Sequence, residues 1–60
     1  MVYDKIKELC KKQGIPIYKL EEELGLSSGS VSKWNNSDPT ARSLLLVAKK
    51  LNTSMEELLQ

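Results

Sequence analysis

Sixty residues, 40% of them hydrophobic and 28% charged, have the balance of one folded domain over 1–60 and not of a disordered chain or of two domains. Nine Lys and Arg against eight Asp and Glu leave a net charge of +1, which excludes a generally basic surface. One cysteine and no histidine exclude an internal disulfide, a structural zinc site and the commonest acid–base chemistry.

The opening MVYDKIKELC lacks the apolar run of a signal peptide, and no stretch approaches the roughly 20 apolar residues that span a bilayer. A cytoplasmic location without a membrane partner is expected. Asn35-Asn36-Ser37 and Asn52-Thr53-Ser54 match a glycosylation acceptor pattern only by chance in that setting. Charge is local: Lys5, Lys7, Lys11 and Lys12 outweigh Asp4 and Glu8 at the start, whereas Glu21, Glu22 and Glu23 outweigh Lys19 and Lys33 in the middle.

Tyr3, Ile6, Leu9 and Cys10 recur at helical spacing, so the first helix is amphipathic and ends near Gln13 with Gly14 as its cap. Pro16 suits the first turn of a second helix, lined by Ile17, Leu20 and Leu24 and closed by Gly25. Ser27 is the expected cap of a third helix, over 28–36, in which Val31 and Trp34 share one face and Gly29 costs about 1 kcal/mol relative to alanine. Pro39-Thr40 opens the fourth, with Asp38 or Thr40 as its cap and Leu44, Val47, Ala48 and Leu51 as its inward stripe. Ser54 and Glu57 have capping-box spacing before a short fifth helix ending in Leu58-Leu59. The fold class is therefore all-α: a compact five-helix domain.

Between Ile17 and Asn36, two short helices meet through Gly25-Leu26-Ser27, a connection of helix-turn-helix type. With Val31 and Trp34 turned inward, the other side of the third helix is free to enter a major groove. Its first residues would reach base edges while backbone amides and lysines hold phosphates. The alternative on spacing alone is a tight corner in a small helical protein–protein interaction module.

Leu20, Leu24, Gly25, Leu26, Ser27, Val31, Ser32 and Trp34, followed by Pro39, the Leu44–Ala48 stretch, Leu51 and Ser54 to Leu59, carry a resemblance. The chain resembles the Cro/C1-type, or XRE, helix-turn-helix domain of bacterial and phage repressors over nearly its whole length. The resemblance implies a lambda-repressor-like fold, a recognition helix at the third position and a dimeric regulator on double-stranded, palindromic operator DNA. Three positions depart from the family pattern: Pro16 stands where a Ser or Thr cap is common, Ile17 where glutamine is frequent, and Glu21 where alanine commonly packs the two helices. The stem of Glu21 is expected to lie along the crossing with its carboxylate in water.

Within this frame Ser28, Gly29, Ser32 and Lys33 are the candidate base contacts, Lys33 being the strongest. Ser27, Ser30, Asn35, Asn36, Ser37, Lys11 and Lys12 are the candidate phosphate contacts. Leu46 falls opposite the inward stripe of the fourth helix, so Leu45 and Leu46 are candidate contacts between two copies. An enzyme is not expected: Cys10 has core spacing and no histidine to activate it, and consecutive glutamates diverge around a helix. No cofactor, metal or small-molecule ligand is implied.

Overall fold

The computed structural model describes residues 1–59: four α-helices and one short 3-10 helix, with no strand among the described residues. The helices are α1 (Val2–Gln13), α2 (Ile17–Glu23), α3 (Ala41–Lys50) and α4 (Met55–Leu59), and the 3-10 helix is Val31–Asn35. The five expected elements are present in order. The third differs in kind and is shorter than the helix expected over 28–36.

Three helix ends share one device, in which the residue after a left-handed one donates to a carbonyl five positions back. Ile15 N–H reaches Cys10 at 2.9 Å, Leu26 N–H reaches Glu21 at 2.8 Å and Thr53 N–H reaches Ala48 at 2.9 Å. The turn requires a left-handed residue, supplied by Gly14, Gly25 and, at φ 56°, Asn52. At the starts, Thr40 caps α3, its Oγ1 accepting from Ser43 N–H at 3.2 Å, and Ser54 Oγ accepts from Glu57 N–H at 3.1 Å. Pro16 precedes α2 and does not sit in its first turn.

Ile6, Cys10, Leu20, Val31, Trp34, Leu44, Val47, Ala48, Leu51 and Leu58 form one core drawn from every element. Helix α1 lies at its centre, packed against the 3-10 helix and α4, while α3 packs on α4. Long-range hydrogen bonds fix the ends of α1. Tyr3 N–H donates to Asn35 Oδ1 at 3.0 Å, and Gln13 Nε2 donates to the Leu51 carbonyl at 2.7 Å. The end of the 3-10 helix is thereby tied to the start of α1.

Candidate nucleic-acid interface

The connection after α2 runs from Leu24 to Ser30, longer than the three or four residues expected. Gly29 explains the difference. Its φ is +84°, a left-handed value that no helix interior contains, so it is a turn residue and not a weak helical one. A side chain at this position would meet no atom within 4 Å; backbone conformation alone calls for glycine. After the turn the chain winds as a 3-10 helix, whose residues at i and i+3 eclipse, and this puts Val31 and Trp34 directly above one another on the core.

Ser27 does not cap this helix with its side chain. Its carbonyl instead accepts from Ser30 twice, from the backbone N–H at 3.1 Å and from Oγ at 2.6 Å. Ser32 Oγ likewise donates to the Gly29 carbonyl at 2.8 Å. Both hydroxyls keep acceptor capacity outward, but their protons are engaged in the turn.

Glu21 corrects the expectation of a solvated carboxylate, being only 4% exposed. Its Oε1 accepts from Gly29 N–H and its Oε2 from Val31 N–H, both at 3.1 Å. With Ser30 N–H turned to Ser27, three successive amides before and at the start of the 3-10 helix have partners inside the chain. The expected phosphate cradle of backbone amides at this helix start is therefore filled by the protein's own carboxylate. The signal in the sequence was slight: a glutamate eight and ten residues ahead of its partners follows no helical or strand period.

The remaining candidates divide clearly. Ser28, Lys33, Asn36 and Ser37 are exposed and make no side-chain hydrogen bond or ion pair within the described residues. Asn35 is half-buried, and both ends of its amide serve α1: Oδ1 accepts from Tyr3, and Nδ2 donates to Asp4 Oδ1 at 3.2 Å. This is a different use from the phosphate contact expected of it. Lys11 and Lys12 are exposed near the end of α1, where Lys12 makes a loose surface pair with Glu8 at 3.6 Å. Leu45 and Leu46 are both exposed, at 42% and 37%.

An open cleft of about 310 Å³ lies beside the turn, lined by Tyr18, Glu21, Glu22, Leu26 and Ser28. Its two acids make it unsuited to an anion. Tyr18, 66% exposed on the outer side of α2, was not singled out from the sequence. Cys10 is buried, and burial pushes its thiol pKa up, which keeps it an unreactive core group.

An all-helical domain that anchors a short helix from beneath and exposes a serine- and lysine-bearing side next to a glycine turn belongs to the helix-turn-helix class. The helix-turn-helix family profile matches residues 6–58, and the chain belongs to that family in its Cro/C1-type, or XRE, form. No curated protein and no solved structure matches it. The domain is of the kind that DNA-binding transcription regulators carry.

Proposed function

We propose that the protein is a sequence-specific binder of double-stranded operator DNA, acting as a homodimeric repressor in the cytoplasm. The observation that carries this reading is the exposed face of the turn and 3-10 helix: Ser28, Ser32 and Lys33 point outward while Val31 and Trp34 are sunk in the core. Lys33 supplies the one full positive charge on that face and reads a guanine edge or holds a phosphate. Ser28, whose hydroxyl has no partner in the chain, is the second reader. Ser30 and Ser32 act as acceptors toward the DNA, because their protons are held by backbone carbonyls. Phosphates are met by Lys11, Lys12, Asn36 and Ser37, all of them exposed.

Selection from a random duplex library tests this directly. A palindromic site with half-site centres one helical turn apart, about 34 Å, is the expected product. Affinity for that site should fall as salt rises, with a shallow slope because few phosphates are neutralised. Failure to enrich any sequence, together with no binding to duplex at low salt, would exclude the DNA reading and favour the protein-interaction alternative.

A further inference from the structure

Glu21 is the one buried charged side chain among the described residues, and no cation is paired with it. A carboxylate taken out of water needs strong donors, and here both come from the main chain of the reading segment, at Gly29 and Val31. The two N–H groups flank Ser30, so one planar group grips the backbone on either side of the residue where the turn becomes the 3-10 helix. Leu20, its neighbour in α2, is fully buried, which leaves the base of the grip little freedom to move.

We propose, building on the DNA-binding reading above, that Glu21 is the positioning residue of that interface and sets its sequence selectivity. Two effects follow from one contact. The grip holds Ser28 and Lys33 in a single arrangement relative to α2, as base reading requires of groups that must meet donor and acceptor positions on a base edge. It also occupies the Gly29 and Val31 amides and leaves a negative charge beside the reading segment, which opposes any DNA backbone regardless of sequence. Glu21 thus lowers indiscriminate binding while it sharpens specific binding.

This opposition in sign separates positioning from a merely structural role. In Glu21→Ala the amides and the local field are released. Affinity for a scrambled duplex should hold or rise, affinity for the library-selected duplex should fall, and their ratio should drop by about tenfold, the scale of one misread base pair. Glu21→Gln retains one acceptor but faces the second N–H with an amide that cannot accept, so its ratio should also fall. A parallel loss on both duplexes in a folded variant, or an unchanged ratio, would overturn the proposal.

Amide hydrogen exchange supplies a readout that needs no DNA. In the wild type the Gly29 and Val31 amides should be protected; in a folded Glu21→Ala they should exchange fast while Val47 and Leu51 stay protected. Unprotected Gly29 and Val31 amides in the wild type would refute the grip even if neither variant folds. If the wild type binds no duplex but these two amides are protected and lose protection in the variant, the grip stands as a fold-positioning contact, and it is the DNA reading that fails.

Discussion

Three consecutive glutamates in α2 have three different fates, and this is where the near-neutral charge of the chain is resolved. Glu21 is buried against two amides, Glu23 accepts from Lys50 at 3.0 Å across to the end of α3, and Glu22 remains on the rim of the open cleft. Of the three, only Glu22 makes no side-chain hydrogen bond or ion pair among the described residues. Lys33, with no acid paired to it, is correspondingly effective: Lys33→Ala should weaken binding by about 1–3 kcal/mol if it meets a base, or reduce the salt slope by about 1 if it meets a phosphate. A salt titration of the variant against the selected duplex distinguishes the two, and an unchanged affinity at every salt would remove Lys33 from the interface. Gly29 admits a test of conformation without crowding. Gly29→Ala should cost about 1–2 kcal/mol through its φ of +84° alone, and Gly29→Asn less, since asparagine tolerates the left-handed region. Chemical denaturation of the two variants measures that order.

Among the elements, α1 and α3 were readable because each shows a 3.6-residue apolar stripe, bounded by glycine at the end of α1 and by Pro39-Thr40 at the start of α3. The reading element was only half legible. Val31 and Trp34, three apart, correctly identify an inward face, but that spacing fits a 3-10 helix as well as an α-helix. Periodicity carries no information about the sign of φ at Gly29, and so the turn was read as helix. The role of Glu21 escaped for a related reason: burial of a carboxylate is decided by donors that only the folded turn brings together. The candidate reading side chains, by contrast, were legible as polar positions, Ser32 and Lys33 between Val31 and Trp34 and Ser28 ahead of them, and all three are exposed. Trp34 holds the 3-10 helix to the core at 8% exposure, so Trp34→Ala should cost roughly 3–5 kcal/mol, a large part of the stability of a small domain. Thermal unfolding followed by circular dichroism checks it; a loss below about 1 kcal/mol would mean that α1 and Val31 suffice to seat the helix.

At the scale of the molecule, the accessible surface of 4063 Å² is close to the roughly 3,950 Å² expected for a folded monomer of its mass. The Cα trace of the described residues extends 22 Å at most, less than the roughly 34 Å between successive faces of the major groove, so on the proposed reading one copy meets one half-site. Leu45 and Leu46 offer the apolar surface through which a second copy is proposed to attach. Leu46→Glu should leave stability within about 0.5 kcal/mol, as for other exposed positions, while abolishing any concentration-dependent dimer in sedimentation. Equal masses for wild type and variant at all concentrations would take Leu46 out of the contact.

The hydrogen bonds at the two ends of α1 bear on how the domain comes apart. Tyr3 and Gln13 find partners 32 and 38 residues away, at the last residue of the 3-10 helix and just past α3. Fraying of the first helix therefore breaks the same contacts that seat the reader. A population with an intact reader and a melted first helix keeps the Glu21 contacts to Gly29 and Val31 but loses the long-range ties and the α1 side of the core, so local opening is expected to merge with global unfolding. Such a molecule is expected to lose its ability to discriminate sequences in one cooperative step on heating, with no intermediate that binds DNA loosely through a half-formed reader.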